Sequence, residues 1–255
     1  MEKTRENRIT GRVKAAVLVL LAVCIMAAFQ MTVFAGAYQV PYGTFRNGPD
    51  KEAIYRMMTA DYPYPNDQYQ IYVYKWNIRA ASKFLCNFED RYMPYYGITS
   101  SAGVVDKGTY ILIAFYPNKI KEEIQKSKKN AASMKKTAKS IIKGKTTAKQ
   151  KAVAIQQYVS KTLKYRSNLY DLNKAVKKKK GCCYAYASYY NALCTAAGLE
   201  SRRCNGYAYG DGTWSGHAWN KVKIGGTWYY VDCCWAKNYP EYAMSKKLWN
   251  DHELD

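Results

Sequence analysis

The chain has 255 residues, a formal net charge of +21 and only two histidines. This length fits one sizeable domain, or a domain with a small accessory lobe, and can bury a substantial core without metal or disulfide staples, so no second catalytic domain is expected. The scarcity of histidine also limits any imidazole base to one of two positions.

Residues 1–35 have the pattern of a secretory signal peptide. Basic residues precede an uncharged stretch from Ala15 to Phe29, and small residues around Ala35 provide cleavage patterns. The alternative is an uncleaved membrane anchor, because the apolar stretch approaches the roughly 20 residues that a spanning helix needs. We therefore expect an exported protein that is either secreted or anchored at the cell surface.

Residues 36–118 are predicted to form a tyrosine-rich extension. A short helix is expected from Asp50 to Ala60, with Asp50 as its cap. Alternation over residues 69–74 and an apolar run over residues 108–116 predict two strands. No chemical motif occurs in this region, so we interpret it as a small α/β extension without a role in chemistry.

Most of the net charge lies in residues 119–180, which hold twenty Lys or Arg against three acidic residues. We predict a lysine-rich helical connector over residues 119–145 and a second helix from Thr147 to Leu163, separated by Gly144. The charge could be a solvated face, or it could bind an anionic cell wall or membrane surface. Nucleic acid is not expected as a partner, because aromatic residues do not alternate with the lysines.

The cysteines leave two interpretations open. Cys24 belongs to the leader, which leaves seven, an odd number. If Cys183 is a working thiol, the other six could form up to three disulfides, as export would permit, or all could stay reduced in the core. These six are Cys86, Cys182, Cys194, Cys204, Cys233 and Cys234.

Cys183 is predicted to lie in the first turn of a helix that Gly198 ends. Unpaired backbone N–H groups and the positive end of the helix dipole favour an anion at this position. We therefore expect the pKa of the Cys183 thiol to be lowered, and the same N–H groups to offer a donor to an oxyanion.

A β-hairpin after this helix carries the other candidate residues. Strands over residues 217–224 and 227–235 flank the Gly225-Gly226 pair, which suits a two-residue turn. If Ile224 pairs with Thr227, alternation places His217, Trp219, Asp232 and Cys234 on one face, with Cys234 opposite His217. His217 and Asp232 are then diagonal neighbours whose side chains can form a hydrogen bond.

The other histidine, His252, lies in a polar segment, residues 241–255, that we interpret as a C-terminal tail. His217 is therefore the expected base, in a catalytic domain over residues 146–240. Cys183, His217 and Asp232 are the predicted nucleophile, base and orienting carboxylate.

Residues 146–237 resemble the transglutaminase-like superfamily. Its pattern reads Gly-x-Cys-x-x-Tyr-Ala, then His-Ala-Trp-Asn, then a tryptophan segment that ends in Asp. The chain matches it at Gly181–Ala187, His217–Asn220, Trp228–Asp232, Trp235, Gly198–Arg202, Gly206, Tyr207 and Lys164-Tyr165.

The resemblance implies an α+β, papain-like core in which the cysteine helix packs on an antiparallel sheet. It also implies attack of a Cys183 thiolate on a carboxamide or peptide carbonyl and transfer of the acyl group from a thioester to an amine or water. Tyr165 is the candidate that the resemblance suggests for oxyanion stabilisation. The adjacent pair Cys233 and Cys234 departs from the family pattern.

The hypothesis that follows is an exported thiol acyltransferase or amidohydrolase acting on protein or peptide substrates. The alternatives are a cysteine peptidase of proteins or cell-wall peptides, and a non-catalytic surface-binding protein that uses its lysines. No cofactor and no metal are expected, because adjacent cysteines lack the two-residue separation of a zinc knuckle.

Overall fold

The computed structural model describes residues 39–61 and 67–254. The predicted signal segment, residues 1–35, lies outside these ranges. No helix in the described ranges combines the length and the apolar character needed to cross a bilayer.

The N-terminal part is a four-stranded sheet with two helices. Strands lie in the order β1-β2-β4-β3, with β1 parallel to β2 and the other pairs antiparallel. The predicted cap is confirmed, since the Asp50 carboxylate accepts the Ala53 N–H at 3.0 Å. The elements are β1 (Gln39–Phe45), α1 (Lys51–Thr59), β2 (Gln68–Tyr74), α2 (Ile78–Tyr92), β3 (Ala102–Asp106) and β4 (Tyr110–Phe115).

Two helices follow, as the sequence predicts. Helix α3 (Pro117–Ile141) begins two residues before the expected start, because Pro117 suits the first turn of a helix. Helix α4 (Ala148–Thr162) begins with a capping box between Thr147 and Gln150. Ala152, Ile155 and Val159 on one side of this helix are fully buried, so this side packs on the core.

The C-terminal part consists of a buried helix and a second sheet. Strands β5 (Lys164–Tyr165) and β6 (Lys180–Gly181) form a short parallel pair around helix α5 (Leu172–Lys178). Helix α6 (Cys183–Ala196) then packs on a four-stranded antiparallel sheet of order β10-β7-β8-β9. These strands are β7 (Ser201–Gly210), β8 (Thr213–Ile224), β9 (Thr227–Val231) and β10 (His252–Leu254).

This arrangement is the predicted α+β fold, with helix α6 between α4 and the sheet. Ile155 and Val159 of α4, Tyr190 of α6 and Val222 and Val231 of the sheet share one core. Because neighbours surround α6 on several sides, nearly every residue from Cys183 to Cys194 is buried, and its start is held in place.

The hairpin register is confirmed, but its second strand is shorter than predicted. Ile224 pairs with Thr227, and Gly225 and Gly226 have φ values of 55° and 83°. Strand β9 ends at Val231 because the Asp232 carboxylate accepts the N–H groups of the next residues and turns the chain. The prediction of a strand to Trp235, with Cys234 opposite His217, is therefore wrong.

Candidate active site

The start of helix α6 carries two thiols with different environments. Cys182 is the cap residue, and its side chain makes no capping hydrogen bond. The adjacent Cys183 thiol, followed by nearby backbone N–H groups that act against burial, lowers the pKa of Cys182. The adjacent Cys182 side chain, followed by burial, raises the pKa of Cys183. The expectation of a lowered Cys183 pKa is wrong, because these two effects outweigh the position of Cys183 at the start of the helix.

Cys183 lies against strand β8 at the residue after His217. It packs with Ala187 and Ala218, and the Ala218 N–H hydrogen-bonds its sulfur. Cys234 packs beside the same group and is partly buried. The thiol therefore sits next to the strand position that carries the imidazole.

Asn220 ties the cysteine helix to the histidine strand. Its side-chain Nδ2 donates to the Ala187 carbonyl at 3.0 Å, and the residue is fully buried. Trp219, between Asn220 and Ala218, is also buried and stacks near the His217 ring, with centroids 6.0 Å apart. In this motif, His217 therefore supplies the imidazole, Trp219 packs near it, and Asn220 holds helix α6 through a hydrogen bond.

His217 and Asp232 form the predicted hydrogen bond. His217 Nε2 lies 2.7 Å from Asp232 Oδ2, while Asp232 Oδ1 accepts the N–H groups of Cys234 at 2.8 Å and Trp235 at 3.2 Å. Burial raises the pKa of Asp232, but the charge of His217 and the hydrogen bonds together lower it to about 2. The carboxylate is therefore charged and fixed, which holds the imidazole in one orientation.

Part of the chain is similar to known proteins. Residues 135–233 match the transglutaminase-like superfamily. The chain carries a transglutaminase-like domain. It is 30% identical over 79 residues to the kyphoscoliosis peptidases of Mus musculus and Homo sapiens, a segment that covers 28% of this chain and 12% of each relative.

The chain also has partial similarity to solved structures. One is a candidate cysteine protease from Cytophaga hutchinsonii, with 19% identity, a TM-score of 0.39 and coverage of 49% of this chain and 47% of that chain. Another is the periplasmic domain of TgpA from Pseudomonas aeruginosa, with 16% identity, a TM-score of 0.37 and coverage of 52% and 57%.

His252 also belongs to the site of this transglutaminase-like domain. Its Nε2 lies 3.4 Å from Asp232 Oδ2, and its Nδ1 lies 2.8 Å from Asp251 Oδ1. The residue is buried on β10, which pairs with β7, so its interpretation as part of a free polar tail is wrong.

Close approach of β10 explains why His252 reaches the interior. A Cβ on Gly206 would lie 1.9 Å from the Glu253 carbonyl oxygen, so only glycine permits this strand pairing. Aromatic rings of Trp235, Tyr242 and Trp249 then surround His252 at centroid distances of 4.9 to 5.5 Å. The aromatic content of the C-terminal segment was the sequence signal for its burial.

Tyr165 lies near the thiols at the end of β5. Although 61% of its surface is exposed, contact with surrounding protein and the nearby Cys183, Cys234 and Cys182 raise its pKa to about 12. The hydroxyl is therefore a neutral donor at physiological pH. Its role toward an oxyanion remains a prediction.

The seven cysteines in the described ranges all carry free thiols. Five of them are buried, among them Cys194 and Cys233 in the main core, and Cys86 and Cys234 are partly buried. This arrangement matches the interpretation of reduced core residues and not the one with three disulfides.

Proposed function

We propose that the protein is a thiol acyltransferase or amidohydrolase in which Cys183 is the nucleophile, His217 the general acid and base, and Asp232 the group that orients the imidazole. The carrying observation is the 2.7 Å bond between His217 and Asp232, on the strand against which Cys183 packs. The substrate class is a carboxamide or peptide bond of a protein or a cell-wall peptide.

In this mechanism the Cys183 sulfur attacks the carbonyl carbon and gives its proton to His217. The tetrahedral intermediate collapses as His217 returns that proton to the departing amine, which leaves an acyl thioester on Cys183. A second amine or water then attacks the thioester, and the thiol is restored. Asp232 stays ionised throughout and stabilises the imidazolium. Tyr165 is the proposed donor to the oxyanion.

The raised pKa of Cys183 keeps it a thiol in the free state, so it gives up its proton to His217 only during the attack. Cys182 would be the more reactive thiol toward a small alkylating agent, and Cys183 the one that becomes acylated. This division of roles makes the two cysteines separable by experiment.

The test is acylation by p-nitrophenyl acetate, followed by peptide mapping of the acetyl thioester. We expect Cys183→Ala to lose the thioester and Cys182→Ala, the matched control, to keep it. A label that stays in Cys183→Ala and disappears in Cys182→Ala would show that the nucleophile has been assigned to the wrong residue.

Export and peptide cleavage are part of the same proposal. The pattern of residues 1–35 supports secretion or anchoring at the cell surface, and either acceptor, water or an amine, fits the mechanism. Competition between water and an added alkyl amine for the acyl-enzyme distinguishes a cysteine peptidase from a transferase. Release of free acid at saturating amine would identify a peptidase.

A second candidate function is non-catalytic binding of an anionic wall or membrane surface through α3. Lys135, Lys136 and Lys139 are exposed, while Met134 and Ala138 face the core. Polyphosphate is the probe: binding should weaken strongly with salt and fall in Lys135→Gln/Lys136→Gln. The matched control is Lys246→Gln/Lys247→Gln. Equal loss in both pairs, or binding that salt does not change, would rule out a specific α3 surface.

A further inference from the structure

We propose that His217, Asp232 and His252 form a binding site for a divalent transition cation, with Zn²⁺ as the reference ligand. These side chains are buried, and one ligand atom from each lies within 4.8 Å of the others. Within the described ranges, these three residues are the group of possible metal ligands whose ligand atoms lie this close together. Cys233 and Cys234 are not part of this group.

The Asp232 carboxylate has one oxygen available for a cation. Oδ1 accepts two backbone N–H groups, so Oδ2 alone faces the two imidazoles, at 2.7 Å from His217 Nε2 and 3.4 Å from His252 Nε2. Tetrahedral zinc with bonds of about 2.0 to 2.1 Å separates its ligand atoms by about 3.3 Å. The His252 pair already has this separation, and the His217 pair needs to open by about half an ångström.

His252 is held in the manner of a metal-binding imidazole. Its outer nitrogen, Nδ1, lies 2.8 Å from Asp251 Oδ1, and the Tyr242 hydroxyl donates to the other oxygen of Asp251. A carboxylate on the outer nitrogen directs the inner nitrogen at a cation and increases its basicity. This arrangement of His252 plays no part in the proposed catalytic mechanism, because Asp232 orients His217 without His252.

An unpaired buried donor lies beside the same imidazoles. Trp219 Nε1 has no hydrogen-bond partner, and its ring lies 5.0 Å from His252 and 6.0 Å from His217 between centroids. A buried donor without an acceptor has lost its hydrogen bond to water and gained none in return. A water or anion carried by the cation would provide an acceptor near this group.

The cation would also act on the chemistry, and this consequence rests on the proposed function. A neutral imidazole that binds a metal through Nε2 carries its proton on Nδ1. His217 would then have no free nitrogen to accept the Cys183 proton. Zinc is therefore expected to inhibit acylation reversibly. It would do so by changing the tautomer of His217 and without binding the Cys183 thiol.

The experiment is calorimetric titration of the purified full chain with Zn²⁺, together with Co²⁺ absorption spectra. We expect one ion per chain and a Co²⁺ spectrum without the charge-transfer band of a thiolate ligand. His252→Gln should weaken Zn²⁺ binding at least about 100-fold, and Asp251→Asn, which keeps all three ligands, about 10- to 100-fold. The double variant Cys182→Ala/Cys183→Ala is the matched control and should bind as the wild type does.

Two results would overturn the site: no binding by the wild type, or binding that both His252→Gln and Asp251→Asn retain in full. A thiolate band in the Co²⁺ spectrum would place the ion on cysteines and also refute the proposal. If Zn²⁺ binds as expected but no acyl thioester forms on Cys183, the proposed function fails and the metal site stands.

Discussion

Two buried clusters in this molecule differ in the side chains that bond the carboxylates. At the junction of α2 and β7, the Arg203 guanidinium bonds Glu89 at 2.7 Å and Asp90 at 2.6 Å. At the candidate active site, the imidazoles of His217 and His252 share Asp232. A guanidinium keeps its charge at all relevant pH values, whereas an imidazole can gain or lose a proton near neutrality.

This difference separates a structural role from a chemical one. Arg203 also donates to the Cys86 carbonyl and lies 3.4 Å from Ser188, so one side chain joins the N-terminal helices to α6 and the second sheet. The imidazole cluster joins fewer elements and can accept a proton or a cation. We therefore expect substitutions in the first cluster to change stability and substitutions in the second to change activity.

Asp232→Asn should have the largest effect of the variants that test this comparison. The amide oxygen would accept the N–H groups of Cys234 and Trp235, which places the amide NH₂ toward His217 Nε2. Because that nitrogen must then accept, the His217 proton moves to Nδ1 and the base is lost. We expect the rate of Cys183 acylation to fall by about 100- to 10,000-fold, as for loss of a general base.

The p-nitrophenyl acetate assay measures this rate, and urea unfolding measures stability in parallel. An unfolded Asp232→Asn variant would make the rate uninformative, so Asp232→Glu, which keeps the acceptor, serves as the control for the tautomer. Near-wild-type acylation by a folded Asp232→Asn protein would contradict the proposed role of the carboxylate.

The contact between His217 and Asp232 was predictable because it depends on short-range information. Gly225 and Gly226 fix the hairpin register, and pleat alternation then places the two residues diagonally. The end of β9 was not predictable from alternation, because the Asp232 carboxylate turns the chain by local hydrogen bonds that compete with the ladder.

The missed features depend on contacts between distant parts of the chain or on a side-chain rotamer. His252 reaches the site because β10 pairs with β7, and Gly206 leaves room for this pairing. No local sequence pattern predicts that the two strands pair. The order of the thiol pKa values depends on the contact between the adjacent Cys182 and Cys183 side chains and on their burial, which the motif does not specify. Helix α5, between β5 and β6, was also not predicted.

Arg203→Ala should have the next largest effect, on stability. Its removal leaves the buried Glu89 and the partly buried Asp90 without a cation, which costs about 3 to 5 kcal/mol. The matched control is the neighbouring Arg202, which is exposed and bonds Glu200 at 3.3 Å. Arg202→Ala should cost less than about 1 kcal/mol. Urea unfolding measures both, and equal costs would refute the structural role of Arg203.

The smallest expected effect is a pH dependence that Glu89 gives to stability. Burial raises the pKa of Glu89 to about 7, although the charge of Arg203 and hydrogen bonds from Thr99 and Arg203 act to lower it. An acid with a raised folded-state pKa contributes stability that is fully present below its unfolded value near 4.5 and is lost as pH rises through about 7. Wild-type stability should therefore fall relative to Glu89→Gln between pH 5 and pH 8.

The Gln variant keeps the shape of the side chain and cannot titrate, so other ionisable groups cancel in the difference between the two proteins. The difference in free energy of unfolding should change by about 1 to 3 kcal/mol over this range, at 1.36 kcal/mol for each unit of pKa difference. Urea unfolding at pH 5, 6, 7 and 8 measures it. The free energies of unfolding could instead differ by a constant amount, or by an amount that favours the wild type as pH rises. Either result would mean that Arg203 keeps Glu89 ionised throughout this pH range. The stability of the α2–β7 junction would then be insensitive to pH.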